Sequence, residues 1–229
     1  MMNFIEGEIL LINKPLRWTS FDVVNKIRYA LSQKTGVKKF KVGHAGTLDP
    51  LATGLLILCT GKMTKRIDEF MDLDKEYSGT FFLGATTPSF DAETEVNQNF
   101  SVEHLDEKTL KDTVKIFSGI IQQVPPVYSA IKVNGTAAYI KARKGKEIEL
   151  KPREVTIHNF ELTRIDLPEV DFIVKCSKGT YIRSLANDLG RALNSGAYLK
   201  SLCRTKIGEY DLQNAMTVEE CLKMIHETI

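Results

Sequence analysis

The sequence predicts an α+β fold in which helices flank a mostly antiparallel or mixed central sheet. Three observations support this class. Apolar runs of strand length alternate with amphipathic stretches of helical period along the whole chain. A hydrophobic content of 43% over 229 residues is enough to bury a core. No apolar run approaches the roughly 20 residues that span a bilayer, so a membrane protein is not expected.

The first half of the chain begins with an apolar strand over residues 7–12. Thr19 or Ser20 then caps a helix over 20–32, because apolar residues recur there at helical spacing. A segment rich in Gly, Pro and Thr follows at 42–54 and is expected to be a loop. The next elements are a buried strand over 55–59, a helix over 63–71 and an aromatic strand over 77–83.

The second half begins with a polar segment over 86–103 and an amphipathic helix over 105–117. A strand over 127–133 ends at Asn134-Gly135, which is a strong turn signal. The elements expected after it are a short helix over 137–143, strands over 155–164 and 170–177, a helix over 180–193, a strand over 198–210 that completes the sheet, and a helix over 217–229.

Charge is distributed in blocks although the net charge is only +2. Between Val24 and Arg66 there are nine Lys/Arg and a single acid, Asp49. Residues 132–153 and 172–206 are also basic, whereas 67–112 are acidic. One basic face is the usual electrostatic signature of a polyanion site, and a solvated surface without a partner is the alternative. Charge alone does not separate the two.

The cysteines and the N-terminus indicate a reducing compartment. The four cysteines lie far apart with no C-x-x-C spacing, so neither disulfides nor a zinc site is expected. The first eight residues lack the basic start and apolar stretch of a signal peptide. We therefore expect a cytoplasmic protein, and with no feature that indicates a self-complementary interface, a monomer.

The segment Gly43-His44-Ala45-Gly46-Thr47-Leu48-Asp49-Pro50 carries the most chemical information. Its two glycines permit tight or left-handed backbone, and Pro50 disfavours helical geometry at Asp49. One carboxylate is thus held beside a buried strand in a basic neighbourhood, where nearby cations favour its ionised form. Such a carboxylate suits a nucleophile or general base. Local composition alone leaves open a helix cap or a turn-stabilising Asp.

A second candidate segment runs from Ser177 to Ser184, between a predicted strand and a predicted helix. Backbone N–H groups at such a junction point outward and favour an anion. Arg183 lies in the first helical turn, where a cation opposes the helix dipole. This unfavourable placement invites a functional explanation, and a surface ion pair is the simpler alternative.

Six motifs in order make the chain resemble the TruB family of tRNA pseudouridine synthases from about residue 7 to residue 210. The 43–50 segment, continued by Ala52, Gly54, Leu55 and Leu56, resembles the family's active-site motif. The other matching stretches are Lys14-Pro15, Lys75-Glu76-Tyr77, residues 125–132 with Gly135 and Tyr139, Pro152-Arg153, and residues 176–183.

The resemblance implies the pseudouridine synthase fold and conversion of uridine 55 in the tRNA T-loop to pseudouridine, with no cofactor or metal. The base is flipped into a pocket, and Asp49 either attacks C1′ or removes the C2′ proton. The resemblance also assigns roles around Asp49. Tyr77 stacks on the uracil, Arg183 pairs with Asp49, His44 fills the space left by the base, Lys14 supports the loop, and Lys65 and Tyr181 act in support.

The resemblance also implies a domain plan and two departures from the family. Residues 1–211 form the catalytic domain, with an insertion around 125–150, and 212–229 form a short helical tail in place of a full RNA-binding PUA domain. Thr136-Ala137-Ala138 stand where the family tends to have basic residues. The cations expected to compensate in phosphate binding are Lys132, Lys141, Arg143 and Lys144.

Three other functions stay open. Archaeal and eukaryotic relatives work with guide RNAs and protein partners, but this short chain favours a stand-alone enzyme that binds the T-arm of tRNA alone. An RNA-binding or RNA-folding module with little catalysis is the second, although Asp49, Tyr77 and Arg183 are all intact. A metabolic α+β enzyme is the third, and it leaves the basic blocks unexplained.

Overall fold

The computed structural model describes residues 3–129, 131–133, 135–138 and 150–227. The chain forms two compact units, one made of Met1–Tyr77 with Leu202–Ile229 and the other of Ser78–Ser201. Helices and a mixed sheet make up both, so the predicted α+β class is confirmed.

The first unit contains both ends of the chain. Its central strand is β3 (Ala52–Thr60). Strand β1 (Ile9–Lys14) and the short β2 (Val42–His44) pair with β3 antiparallel, while β12 (Ala197–Ile207) pairs with it in parallel. The elements are β1 (Ile9–Lys14), α1 (Ser20–Thr35), β2 (Val42–His44), β3 (Ala52–Thr60), a 3-10 helix (Gly61–Arg66), α2 (Ile67–Met71), the start of β4 (Lys75–Leu83), the end of β12 (Ala197–Ile207), β13 (Tyr210–Asp211), a 3-10 turn (Leu212–Asn214) and α5 (Val218–Glu227).

Helix α1 begins where the sequence predicts it. Thr19 is the N-cap and forms a capping box with Asp22, and Gly36 ends the helix in the left-handed conformation, with φ 70°. The buried face consists of residues at helical spacing, including Val24, Ile27 and Leu31. The helix continues to Thr35, three residues beyond the predicted end.

The prediction of a loop throughout 42–54 is wrong at both ends. Val42–His44 form β2, and β3 begins at Ala52 rather than at 55. Both deviations arise from pairing, since Gly43 lies opposite Cys59, and Gly54 lies opposite both Lys14 and Arg204. Tertiary pairing has overridden the low strand propensity of these glycines.

The tail helix α5 packs into the core of the first unit. Its buried residues Val218, Cys221 and Ile225 join the cluster formed by α1, β1 and β3. Met216, just before it, exchanges backbone hydrogen bonds with β1. The predicted helical tail is therefore part of this core.

Within the described residues, the second unit is a sheet in the order β4, β11 (Glu169–Cys176), β10 (Arg153–Asp166) and β7 (Gly119–Gln123), with two helices. Edge strand β7 pairs antiparallel with β10, and the sequence pattern did not predict it. The elements are the end of β4, β5 (Ala85–Thr86), β6 (Gln98–Asn99), α3 (Glu107–Ile116), β7 (Gly119–Gln123), β8 (Lys132–Val133), β9 (Thr136–Ala137), β10 (Arg153–Asp166), β11 (Glu169–Cys176), α4 (Ile182–Ala192) and the start of β12.

The strand predicted over 127–133 is wrong for its first residues. Val127 to Ser129 belong to no strand, and only Lys132–Val133 pair, in a two-residue hairpin with Thr136–Ala137. Of the helix predicted over 137–143, Ala137 lies in β9 and residues 139–143 lie outside the described part. Within the described ranges, no helix has the length and apolar character needed to cross a membrane.

Candidate active site

The 43–50 loop connects β2 to the turn before β3. The Ala45 N–H donates to the Ile57 carbonyl at 2.9 Å, which holds the start of the loop against β3. Gly46 has φ 95°, a region that favours glycine. At the other end, the Ala52 N–H donates to the Asp49 carbonyl at 3.0 Å. Asp49 precedes a strand, so it is not a helix cap, and its carboxylate lies at a half-buried position.

Helix α1 and the turn before it hold the second half of this loop. The buried Ser20 hydroxyl accepts from the Leu48 N–H at 2.8 Å and donates to the Leu48 carbonyl at 3.2 Å. The Arg17 N–H donates to the Pro50 carbonyl at 2.7 Å. The backbone on both sides of Asp49 is thus fixed by hydrogen bonds.

Arg204 on β12 holds the first half of the loop. This side chain is 1% exposed, and it is among the largest fully buried side chains of the described residues. Its Nε donates to the Leu55 carbonyl at 2.8 Å, and its Nη2 donates to the Gly46 carbonyl at 3.1 Å. A buried guanidinium is costly unless it is hydrogen-bonded, so this contact locks β12, β3 and the loop together.

Lys14 is a second buried cation beside the loop. It is fully buried, and its Nζ donates to the Pro15 carbonyl at 3.0 Å and to the Trp18 carbonyl at 2.5 Å. Burial lowers the pKa of Lys14 from 10.5 to about 8, Asp49 opposes that shift, and Arg204 adds to it. Lys14 therefore interacts electrostatically with Asp49, and its role in supporting the loop stays a prediction.

His44 ends β2 at the start of the loop. Burial, and then the charge of Arg204, lower its pKa below the ordinary 6.5. The imidazole is therefore neutral at pH 7. Its Nδ1 is buried and has no hydrogen-bond partner among the described residues.

Tyr77 and Lys65 also belong to the first unit. Tyr77 is half-buried on β4, two residues after the buried Lys75. The Lys75 Nζ donates to the Met71 and Leu73 carbonyls, both at 2.5 Å, which fixes the start of this strand. Lys65 is exposed on the 3-10 helix, where it is accessible to a polyanion.

In the second unit, Arg183 lies in the first turn of α4 and is 4% exposed. Its Nη1 and Nη2 donate to the Ser89 and Tyr128 carbonyls at 3.2 and 2.8 Å. Its Nε lies 3.6 Å from Oδ2 of Asp91, which is also buried. Arg183 is therefore not in a surface ion pair. The buried carboxylate and carbonyls compensate a cation at a helix N-terminus.

Tyr181 immediately precedes α4. Its N–H donates to Gln123 Oε1 at 2.8 Å, and its carbonyl accepts from Gln123 Nε2 at 3.1 Å. The Arg153 guanidinium stacks on its ring at 4.5 Å from the centroid. Arg153 also donates to the Gly179 carbonyl. The Gln123 side chain thus fixes the backbone of the residue before the helix, and anion binding at this helix end stays a prediction.

The predicted site residues fall into two groups, one in each unit. Lys14, His44, Lys65, Asp49 and Tyr77 lie in the first unit, while Tyr181 and Arg183 lie in the second. The pairing of Arg183 with Asp49 and the stacking of Tyr77 on uracil stay predictions. Three of the expected phosphate-binding cations, Lys141, Arg143 and Lys144, lie outside the described residues, and so does Tyr139.

The sequence prediction gave no role at the site to four residues that act there: Ser20, Asp91, Gln123 and Arg204. Each acts on a residue or segment far away in the chain, so local composition gives no signal for them. Arg204 lies in one of the three basic blocks, and only its burial separates it from a surface cation.

The sequence of the chain is similar to those of known pseudouridine synthases. The model of the family described as TruB family pseudouridylate synthase (N terminal domain) matches residues 33–182. A tRNA pseudouridine synthase B from Flavobacterium johnsoniae is 59% identical over 94% of this chain and 94% of its own length. One from Parabacteroides distasonis is 56% identical over 100% and 97%.

Solved structures show the same fold in larger chains. A chain in the crystal structure of a Cbf5-Nop10-Gar1 complex aligns over 96% of this chain with a TM-score of 0.72 and 26% identity. A chain in an H/ACA RNP bound to a substrate RNA containing 2′-deoxyuridine aligns with a TM-score of 0.70 and 25% identity. This chain spans about half, 54%, of each of those chains. The family match and the near-full-length relatives together establish that the chain belongs to the TruB family of pseudouridylate synthases.

Proposed function

We propose that the protein isomerises uridine 55 in the T-loop of tRNA to pseudouridine, with Asp49 as the catalytic carboxylate. The main observation in support of this proposal is that hydrogen bonds fix the backbone of the 43–50 loop. Arg204, Ser20 and Arg17 bind its backbone on both sides of Asp49. Relatives more than half identical over nearly their full length are named tRNA pseudouridine synthase B, which supports tRNA as the substrate.

The electrostatics of the first unit support an ionised Asp49. The Lys14 ammonium is coupled to this carboxylate, and the Arg204 guanidinium lies buried against the same loop. A positioned and ionised carboxylate serves equally for attack at C1′ and for removal of the C2′ proton. Both routes end with the bond from C1′ to N1 of uracil broken and a bond from C1′ to C5 formed, so no atom is added to the RNA as a whole.

The remaining site residues have roles that fit a flipped nucleotide. The neutral His44 imidazole presents an uncharged ring at the start of the loop that carries Asp49, which suits a residue that fills the space left by the base. Tyr77 supplies a ring for stacking on the uracil. Arg183 is held rigidly by Asp91 and two carbonyls, which suits a cation that orients Asp49. Exposed cations such as Lys65 bind T-arm phosphates, and this binding weakens as salt rises.

The test is release of tritium from an unmodified tRNA transcript that carries tritium at C5 of its uridines. We expect release to reach one equivalent per tRNA, and to be lost when the T-loop uridine is replaced. Asp49→Asn should abolish release while RNA binding persists, whereas Asp68→Asn, at an exposed position on α2, should keep wild-type activity. Turnover by Asp49→Asn near the wild-type rate would refute the role of Asp49.

The likeness to chains of H/ACA complexes favours one second candidate, a guide-dependent enzyme. Purified protein acting on a transcript alone separates the two. Release without any added RNA or protein supports the stand-alone enzyme. Release that requires an added guide supports the second candidate. RNA binding with no release under either condition would indicate a binding module.

A further inference from the structure

The outer face of α1 exposes aromatic side chains. Tyr29 at 67% and Phe21 at 59% are the most exposed aromatic residues in the described ranges. They are eight positions apart, and Asn25 lies between them on the same helical face. Leu16, 54% exposed, lies in the turn before the helix. Single exposed apolar residues are common, but two rings on one helical face form a surface.

Cations surround these rings. The Arg28 guanidinium lies 5.9 Å from the centroid of the Phe21 ring. Arg17 and Lys26 line a cavity of about 520 Å³ with Trp18 and Tyr29. The acid in that cavity, Asp22, is occupied in the capping box, where it accepts from the Thr19 N–H and hydroxyl. The surface therefore presents aromatic rings with an excess of positive charge.

This surface borders both ends of the 43–50 loop. The Arg17 N–H donates to the carbonyl of Pro50, directly after Asp49. At the other end, Arg28 Nη2 donates to the Val42 carbonyl at 3.0 Å, and Val42 precedes the loop. A molecule on the outer face of α1 is therefore adjacent to the loop that carries Asp49.

We infer that the α1 surface, formed by Arg17, Phe21, Lys26, Arg28 and Tyr29, binds unpaired nucleotides of the RNA next to the target uridine. The rings stack on bases and the cations contact phosphates, the combination that single-stranded nucleic acid sites use. The charge around the rings favours this polyanion over an apolar protein helix. The inference rests on the proposed function, because that function brings an RNA loop to Asp49.

The test is the affinity for a fluorescein-labelled, unmodified T-arm stem-loop RNA, measured by anisotropy. Phe21→Ala with Tyr29→Ala should raise Kd by about tenfold or more, because stacking on each ring contributes strongly to binding. The matched control is Ile116→Ala with Ile120→Ala, which removes exposed apolar area without rings and should leave Kd unchanged. Lys26→Glu should reduce the salt dependence of Kd by about one phosphate contact.

A wild-type Kd for the Phe21/Tyr29 double variant would overturn the inference, and so would an equal loss in the control variant. Altered self-association of the double variant with unchanged Kd would assign the rings to a protein contact and also overturn it. Tritium release by the wild-type protein tests the proposed function separately. Failure of that assay together with a raised Kd for the double variant would reject the isomerase and support the RNA surface.

Discussion

The depressed pKa of Lys14 predicts an alkaline limit to the reaction. At a pKa of about 8 the ammonium is roughly nine-tenths protonated at pH 7 and about one-tenth protonated at pH 9. Lys14 interacts electrostatically with Asp49, and we expect the step that uses the ionised Asp49 to require the charged Lys14 ammonium. The single-turnover rate should therefore fall towards about tenfold per pH unit above pH 8.

The assay is single-turnover tritium release at saturating enzyme between pH 6 and about pH 9.5. Lys14→Arg keeps a permanent cation, so its profile should lack the alkaline fall. Lys14→Met removes the charge at similar length and should be slow and independent of pH through this window. Thermal unfolding of each variant at pH 7 shows whether it is folded. If one of the two variants does not fold, the other still tests the role of the Lys14 charge.

The pH dependence of the free energy of unfolding separates this loss of rate from a loss of folded protein. The folded pKa of Lys14 lies below that of an unfolded lysine, so between about pH 8 and pH 10.4 the unfolded chain binds more protons. The contribution of Lys14 to the free energy of unfolding therefore rises with pH in this window, while the rate falls. A flat rate profile in the wild type, or an identical alkaline fall in Lys14→Met, would refute the reasoning.

Three further substitutions test residues that hold the 43–50 loop or Arg183 in place. Arg204→Met leaves the Leu55 and Gly46 carbonyls without their donor. It should lower the free energy of unfolding by about 2–4 kcal/mol in urea titrations, and it should move the alkaline limb to higher pH because Arg204 depresses the pKa of Lys14. Ser20→Ala removes both hydrogen bonds to Leu48 and should lower the free energy of unfolding by about 1–3 kcal/mol. The control Ser32→Ala, on the same helix, should leave it nearly unchanged. Equal effects of the two substitutions would contradict the role of Ser20 in holding the loop. Asp91→Ala removes the buried carboxylate that lies near the Arg183 guanidinium and should destabilise by about 3–5 kcal/mol. An unchanged urea midpoint and turnover for Asp91→Ala would show that the 3.6 Å contact is unimportant.

The sequence predicted those helices and strands whose signals lie within the element itself. Helix α1 has its cap at Thr19 and its apolar residues at helical spacing, so its start was predicted to the residue. Strand β3 is apolar at successive positions because it is buried on both faces, and that run was recognised. The family resemblance, now confirmed, depended on motifs in order rather than on any one element.

The rest depended on contacts between distant segments. Strand β2 contains a glycine and only three residues, so its strand character comes from pairing with β3. Edge strand β7 begins at Gly119 and exposes Ile120, a pattern that does not alternate like a half-buried strand. Arg204 and Gly46 are 158 residues apart, and no periodicity links them. Burial distinguishes such a side chain from a surface cation, and burial follows only from the fold.

The packing of α5 against α1 has a consequence for synthesis on the ribosome. Helix α1, which supplies Ser20 to the 43–50 loop, shares its core with Val218, Cys221 and Ile225. Lys34 on α1 also donates to the His226 carbonyl, 192 residues later. A nascent chain therefore lacks part of the core behind the 43–50 loop until residues 218–227 have left the exit tunnel, and we expect activity only after this helix has been translated.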